Sequence, residues 1–171
     1  VRIAGVADPM AGNAQDHARL AAENIPFYDT PEAFYADHGA DLAVISSPIH
    51  FHCPQTVACL EHGSHVLCEK PVAATIQEAR QMMAARDAAG RFVSIGYQLS
   101  FDEGTQALKQ DMRSGVFGAP QRMKSAFYWP RDHAYYGRNA WAGRRASDGG
   151  AWVLDSPANN ANAHYLHNML Y

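Results

Sequence analysis

A lysine suited to proton transfer follows a short apolar segment near the middle of the chain. The segment His65–Cys68 contains a β-branched valine, which predicts a strand buried in a parallel sheet. Glu69, Lys70 and Pro71 follow it directly, so they lie at the carboxyl edge of the sheet, where open α/β folds bind ligands. Pro71 keeps Lys70 out of the helical region and permits a cis bond, which predicts a stiff corner. By itself, a Lys-Pro pair favours a solvated turn.

A second predicted strand ends in a similar polar corner. The segment Asp41–Pro48 is apolar at its centre and ends in Ser-Ser-Pro. The segment 50–53, His-Phe-His-Cys, follows and leads through a helix to Gly63. Histidine and cysteine also bind zinc, but the chain offers no second cluster of ligands, so we expect no metal site.

The order and spacing of these motifs resemble the Gfo/Idh/MocA family of nicotinamide-dependent oxidoreductases. In that family a strand ending in Thr/Ser-Pro, a His four residues after the Pro, and Glu-Lys-Pro mark the cofactor and catalytic cleft. The matching residues of this chain are Ser47, Pro48, His52, Glu69 and Lys70. The resemblance runs from Ile3 to about Asp155, and it implies that these residues line a cleft for a nicotinamide cofactor.

The first predicted strand, Val1–Val6, is followed by an acidic residue, Asp8. In a dinucleotide-binding fold an acid at this place accepts hydrogen bonds from the hydroxyls of the adenine ribose. A carboxylate also repels a 2′-phosphate, so we expect NAD rather than NADP as the cofactor. The alternative is an Asp that caps a helix before Pro9.

A Gly-rich turn precedes a further candidate residue, Asp155. Gly149–Asp155 resembles the family's Gly-rich turn, which usually continues with a His four residues after the Asp. That His is the family's usual proton acceptor from the substrate hydroxyl, but this chain has Asn159 there. Asparagine has no titratable proton in the working range, so we expect Asn159, Asn160 and Asn162 to form hydrogen bonds with a polyol.

Lys70 is therefore the best candidate for the catalytic base. Partial burial and a positively charged nicotinamide ring would both disfavour its ammonium form. Asp155 would orient the substrate hydroxyl or relay the proton, or else it complements a helix dipole. In a helix that begins at Pro157, ~100° per residue places His164 roughly opposite Asp155 and His167 about a third of a turn away. We therefore expect neither histidine to replace the family's base.

The alternation of elements predicts an α/β fold with a Rossmann-like doubly wound parallel sheet. Strands are predicted at Val1–Val6, Pro26–Tyr28, 42–47, His65–Cys68 and Phe92–Tyr97, and helices at 13–23, 31–39, 54–62, 76–90 and Asp102–Ser114. Thr30 before Pro31, and the capping box of Thr75 and Glu78, predict two of the helix starts. The chain has no G-x-G-x-x-G and begins where the family's second strand would lie. We therefore expect the first strand to be missing, and the chain to be a fragment, truncated at both ends and inactive alone.

The pattern changes after residue 119. Residues 121–129 alternate between polar and apolar, which predicts a one-sided strand of an antiparallel sheet. We expect residues 1–119 to form the dinucleotide-binding domain and residues 120–171 to begin an α+β domain for the substrate and for dimerisation. The segment 130–150 is rich in Arg, Gly, Tyr and Trp, which is typical of a loop over a binding cleft.

The composition is that of a globular protein, with 47% hydrophobic and 18% charged residues. A net charge of −3 without a basic run gives no electrostatic reason to expect nucleic acid as a partner. No apolar stretch approaches membrane-spanning length and no signal peptide is visible, so we expect no membrane partner. Cys53, Cys59 and Cys68 lack close pairing, which predicts reduced thiols in a cytoplasmic protein.

The resemblance to the Gfo/Idh/MocA family implies one principal function and two alternatives. The principal one is an oxidoreductase that transfers a hydride between NAD and a hydroxyl of a sugar, inositol or related polyol. We expect a homo-oligomer that assembles through the carboxyl-terminal domain. The alternatives are a non-catalytic ligand-sensing protein on the same fold, which Asn159 favours, and an NAD-dependent glycoside hydrolase.

Overall fold

The computed structural model describes residues 1–171 as short strands and helices that alternate along the chain. The strands are β1 (Val6–Ala7), β2 (Phe27–Tyr28), β3 (Leu42–Ile45), β4 (His65–Cys68) and β5 (Val93–Ile95). The α-helices are α1 (His17–Ala22), α2 (Pro31–Asp37), α3 (Ile49–Glu61), α4 (Ile76–Ala89), α5 (Glu103–Ser114), α6 (His133–Gly137) and α7 (Ala163–Leu170). The remaining helical turns are 3-10 turns at Ala11–Asn13 and Gln98–Phe101 and a π-helical turn at Pro157–Ala161. None of the helices is both long and apolar enough to cross a membrane.

All paired strands are parallel, as the alternation of strands and helices predicts. β1 pairs with β2, and β3, β4 and β5 form a separate sheet in that order, with β4 in the centre. β1 and β3 are not neighbours in either sheet; the further strand predicted between them stays a prediction. β1 is shorter than the predicted Val1–Val6 because only Phe27 and Tyr28 lie beside it as hydrogen-bonding partners.

The main core lies on one face of the three-stranded sheet. Ile45, Val66 and Cys68 pack there in one cluster with Leu60 of α3 and Met82 of α4. Successive side chains of a strand point to opposite faces, so the residues between them point away from this core. This packing holds the carboxyl ends of β3 and β4 side by side, where the candidate site lies.

The opposite face of the same sheet is open. Val44 of β3 is 66% exposed and Leu67 of β4 is 38% exposed. The sequence predicts buried strands at both positions, and this prediction is wrong for these side chains. The reason is that α3 and α4 both pack against the face that carries Val66.

Side-chain caps begin the helices that the sequence predicts. Thr30 caps α2, and Thr75 with Glu78 forms a complete capping box at α4. Asp102 caps α5, which ends at Gly115 in the left-handed region with a φ of 82°. These predictions are confirmed because each cap needs only residues close in sequence.

Two boundaries differ from the expectation. α3 begins at Ile49 rather than near residue 54, so His52 lies within its first turns. Pro54 is tolerated inside the helix although its missing N–H removes one backbone hydrogen bond. The predicted helix at 13–23 is also shorter, because a 3-10 turn precedes α1.

The predicted strand at 121–129 is absent. This segment has no regular secondary structure and takes part in none of the backbone hydrogen bonds between elements. An alternating pattern forms a strand only where a neighbouring strand satisfies its N–H and C=O groups, and this segment has no strand beside it, although Phe127 stacks on Tyr165 of α7. The division into domains at residues 119 and 120 stays a prediction.

Candidate functional site

The corner after β4 positions Lys70. The Lys70–Pro71 peptide bond is cis. Glu69 accepts a hydrogen bond from the Lys70 backbone N–H through Oε2 at 3.1 Å. The half-buried Lys70 side chain donates from Nζ to Oδ1 of Asn160 at 2.6 Å and to the Asn160 carbonyl at 3.2 Å. The lysine is therefore held at both ends, as a fixed corner predicts.

Asn160 connects this lysine to Asp155. Its Nδ2 donates to Oδ1 of Asp155 at 2.8 Å while its own Oδ1 accepts from Lys70. The amide can serve an ammonium and a carboxylate together only in this orientation. Oδ2 of Asp155 accepts from the Gly143 N–H at 2.7 Å. A neutral amide thus separates Lys70 from Asp155, and neither takes part in an ion pair.

A π-helical turn sets the direction of the asparagines. Ser156 caps the turn and Pro157 is its first residue, as the sequence predicts. The Asn162 N–H then donates to the Pro157 carbonyl at 2.6 Å, an i to i+5 bond that is wider than an α-helical turn. Side-chain directions worked out at ~100° per residue therefore fail beyond this turn.

Asn159 is the residue most affected. Its Nδ2 donates to the Leu154 carbonyl at 3.3 Å, and it makes no hydrogen bond to Lys70. The next residue, Asn160, makes that contact instead. The structure therefore does not bring Asn159 to the lysine, and the hydrogen bond expected between Asn159 and a polyol stays a prediction.

A cavity of about 260 Å³ opens beside Lys70 at the carboxyl ends of β3 and β4. It is lined by Ser46, Ser47, Ile49, His52, Glu69, Lys70, Tyr135, Arg138, Trp141 and Asn160. Four of the residues expected from the sequence, Ser47, His52, Glu69 and Lys70, thus meet in one place. The loop segment 130–150 contributes one wall, as its composition predicts.

His52 holds the two strand ends together. Its imidazole is buried, with Nδ1 2.8 Å from the Pro71 carbonyl and Nε2 2.9 Å from the Ser47 carbonyl. Ser47 is itself fixed by donating from Oγ to Oε1 of Gln55 at 2.6 Å, and Pro48 precedes the first residue of α3. These contacts give His52 a positioning role for the cleft.

Asp8 lies apart from this cavity, at the carboxyl end of β1. Oδ1 of the exposed side chain accepts from the Met10 N–H at 2.7 Å, a contact within a turn rather than the helix cap considered for Asp8, since neither the 3-10 turn at Ala11–Asn13 nor α1 is capped by this residue. Oδ2 has no hydrogen-bond partner in the structure and can accept hydroxyl groups. The role of Asp8 at the adenine ribose of NAD stays a prediction from its place at a strand end.

Several residues of the site were not predicted from the sequence. Tyr135, Arg138 and Trp141 line the cavity, yet they come from a segment without periodicity, so only its Arg, Tyr and Trp content pointed to them. Asn160 was expected only as a polyol ligand. The π-helical turn that directs it to Lys70 has no recognisable sequence pattern.

The charge of Lys70 acts on a further residue, His164. Burial lowers the pKa of His164, and the positive charge of Lys70 lowers it further. Nδ1 of this imidazole is buried without a hydrogen-bond partner, and the ring meets Tyr97 edge to face at 6.0 Å between centroids. The structure therefore places a histidine that favours the neutral form within the electrostatic influence of the site lysine.

The three cysteines stay outside the chemistry of the cleft. All are free and buried, as expected for reduced thiols. Burial raises the pKa of each thiol, to about 12 for Cys68, so these groups resist ionisation. No three His, Cys, Asp or Glu side chains are grouped as metal ligands.

The sequence of this chain is similar to those of known oxidoreductases. The sequence model of the Gfo/Idh/MocA oxidoreductase family, described as an NAD-binding Rossmann fold, matches residues 1–97. Inositol 2-dehydrogenase 1 of Saccharopolyspora erythraea is 35% identical over 120 residues, covering 70% of this chain and 36% of that protein. The 1,5-anhydro-D-fructose reductase of Ensifer adhaerens is 30% identical, covering 91% of this chain and 46% of the reductase.

A solved structure gives the same fold. The WlbA dehydrogenase of Chromobacterium violaceum, in complex with NADH and UDP-GlcNAcA, superposes with a TM-score of 0.70 at 25% identity. The match covers 87% of this chain and 41% of that protein. The chain thus spans less than half the length of these relatives.

The predicted Rossmann-like α/β fold and the cofactor NAD are confirmed. The match of the family model to more than half of the chain, together with these relatives, shows that the chain belongs to the Gfo/Idh/MocA family of oxidoreductases.

Proposed function

We propose that the full-length protein containing this chain transfers a hydride between NAD and a hydroxyl-bearing carbon of a sugar, inositol or related polyol. The observation that carries the proposal is the half-buried Lys70 amine beside an open cavity at the carboxyl ends of β3 and β4. Relatives named inositol 2-dehydrogenase and D-glucoside 3-dehydrogenase support a polyhydroxylated substrate.

Lys70 would manage the proton of the reacting hydroxyl. NAD, when bound, would supply the acceptor for the hydride that leaves the carbon carrying this hydroxyl. The O–H proton passes to Nζ of Lys70 in its neutral form, and the oxygen becomes the carbonyl oxygen of the product. Asn160 orients Nζ through its 2.6 Å hydrogen bond, and Asp155 in turn orients the Asn160 amide.

Asp155 therefore acts on the reaction indirectly, through Asn160. Its two carboxylate oxygens already accept from Asn160 and from the Gly143 N–H. The second contact ties the carboxylate to the loop that carries Trp141. We infer that Asp155 positions both the lysine and the loop, while Ser47, Pro48, His52 and Glu69 shape the nicotinamide end of the cleft.

The direct experiment is a search for turnover by the full-length protein. NADH formation is followed with a panel of neutral and acidic sugars, inositols and glycosides, and the products are identified by mass spectrometry. Oxidation of a hydroxyl to a carbonyl, with one NADH for each product, is the expected result. Cleavage of a glycoside without net NADH would favour a glycoside hydrolase instead.

A non-catalytic sensor is the second candidate. It is favoured because no titratable side chain occupies position 159 and because Asn160 engages Nζ of Lys70 twice. A sensor would bind NAD and a sugar without forming NADH. Saturable binding of both, with no product for any compound of the panel, would decide for the sensor and against the dehydrogenase.

We further propose a cytoplasmic homo-oligomer that assembles through residues 120–171, the expected substrate domain. Large apolar side chains remain exposed in that region, among them Trp129, Trp152 and Leu170. Light scattering on the full-length protein checks the assembly. A monomer at micromolar concentration would contradict it.

A further inference from the structure

Arg138 is a second cation on the wall of the cavity that holds Lys70. Its guanidinium lies over the Tyr135 ring, 3.6 Å from the centroid, and 5.5 Å from the Trp141 ring centroid. One N–H from Nη1 donates to the Tyr135 carbonyl at 2.6 Å. The side chain is therefore held in place by its own loop.

This guanidinium has no acidic partner. None of the ion pairs of the structure includes Arg138, whereas Arg144 of the same loop pairs with Asp148. Most of its N–H groups remain available, because only one of them is used by the Tyr135 carbonyl. An arginine that is fixed in position and lacks a carboxylate is suited to bind an anion from outside the chain.

The other charges of the cavity leave this role open. Glu69 is the only carboxylate among the lining residues, and it already accepts from the Lys70 N–H. Asp155 does not line the cavity, and its two carboxylate oxygens accept from Asn160 and Gly143. The two cationic side chains, Lys70 and Arg138, thus face one cavity with a single opposing charge.

We propose that Arg138 binds an anionic substituent, a carboxylate or a phosphate, on the same sugar or polyol whose hydroxyl reacts at Lys70. This inference rests on the proposed function. Lys70 and Arg138 line the same cavity of about 260 Å³. The planar fork of the guanidinium matches the paired oxygens of either anion, so the site selects acidic over neutral substrates.

The test uses the full-length protein and matched sets of substrates. Each set contains a neutral hexose, its uronate and its 6-phosphate, in the gluco, galacto and manno configurations. Either the uronate or the phosphate should have a kcat/KM about 10- to 100-fold above that of its neutral partner, since charge-assisted hydrogen bonds have this strength. The substrate that is preferred, the uronate or the 6-phosphate, shows whether Arg138 binds a carboxylate or a phosphate.

Two variants connect this preference with the arginine. Arg138→Met should remove the preference, because it should raise KM for the acidic substrate about 10- to 100-fold more than KM for its neutral partner. Arg138→Lys should keep part of it, because a lysine retains the charge without the fork. Arg131→Met is the matched control, since Arg131 lies 4.3 Å from the Tyr135 ring centroid but does not line the cavity.

The possible results separate this inference from the function on which it rests. Equal turnover of neutral and acidic sugars by the wild type would leave the dehydrogenase intact and overturn the role of Arg138. A weaker Kd for NAD in Arg138→Met, with unchanged sugar preference, would also overturn it. If no sugar is oxidised, calorimetric binding of the uronate and phosphate still decides, because binding that survives Arg138→Met contradicts the proposal.

Discussion

At the scale of single residues, the distinctive feature is a neutral amide between two opposite charges. Asn160 accepts from Lys70 and donates to Asp155. A carboxylate in direct contact would favour the ammonium form of the lysine, whereas an amide orients the amine with less electrostatic stabilisation of its charge. Asn160 thus orients the Lys70 amine without placing a carboxylate in direct contact with it.

The variant Asn160→Asp tests this separation of charge. A carboxylate beside Nζ should hold the proton, so the alkaline rise of kcat/KM should move to higher pH. Asn159→Asp is the control, because Asn159 contacts the Leu154 carbonyl and not the lysine. If the pH profile of kcat/KM shifts equally in both variants, or in neither, Asn160 does not control the charge state of Lys70.

His164 predicts a pH dependence of stability. Its pKa in the folded protein is lowered, mainly by burial and then by the charge of Lys70. Below about pH 6.5 the unfolded state therefore binds more protons than the folded state, so the free energy of unfolding falls as the pH decreases. The contribution of His164 to the free energy of unfolding is fully present above the pKa of this histidine in the unfolded state. It is lost as the pH falls through the lower pKa of the folded state.

Denaturant titrations between neutral and acidic pH measure this effect. His164→Gln should flatten the decline of stability on the acidic side, and His133→Gln, at an exposed site on α6, serves as the control. An unchanged slope in His164→Gln would show that the histidine is not buried against the site in solution.

The sequence identified some site residues but not the ones that depend on geometry. Glu69 and Lys70 could be predicted because they directly follow a short apolar strand. Asn160 could not be assigned to Lys70, since one π-helical hydrogen bond changes which of two adjacent asparagines faces the lysine. Arg138 could not be found either, because a loop without periodicity gives no direction to its side chains.

At the scale of elements, local signals were reliable and non-local ones were not. The capping box of Thr75 and Glu78 was predictable because it needs only neighbours in sequence. The strand expected at 121–129 depends on a partner strand, which an alternating pattern does not reveal. The exposure of Leu67 could not be predicted either, because it depends on which face of the sheet the helices cover.

The strand ends also predict which cofactor is preferred. Asp8 follows β1 and keeps Oδ2 free for a ribose hydroxyl. In the full-length protein, Asp8→Ala should weaken NAD binding much more than NADP binding, because only NAD offers a free 2′-hydroxyl there. Fluorescence titrations with both cofactors measure this; equal losses would remove Asp8 from the ribose site.

At the scale of the whole molecule, the chain buries little of its apolar surface. Only 20 of 171 residues are buried, and β1 and β2 form a sheet apart from the other three strands. The open sheet face with Val44 and Leu67 adds to the apolar surface in contact with water. Exposed apolar surface of this extent lowers the cooperativity of folding.

Residues 1–171 expressed alone should therefore bind the dye ANS and unfold over a broad temperature range. Calorimetry together with near-ultraviolet circular dichroism measures this, with the full-length protein as the comparison. A sharp cooperative transition of monomeric 1–171, without dye binding, would show that this surface does not weaken the fold.

The central claim is that Lys70 manages the hydroxyl proton during hydride transfer to NAD. The most direct measurement compares kcat of NADH formation for the wild type, Lys70→Met and Lys124→Met, which removes an exposed lysine outside the cavity. Lys70→Met should lower kcat by about 10²- to 10⁴-fold, the usual effect of a positioned acid or base, with little change in the Kd for NAD. Lys124→Met should match the wild type. If the wild type turns over and Lys70→Met keeps its rate, the base is another residue and the account of this site is wrong.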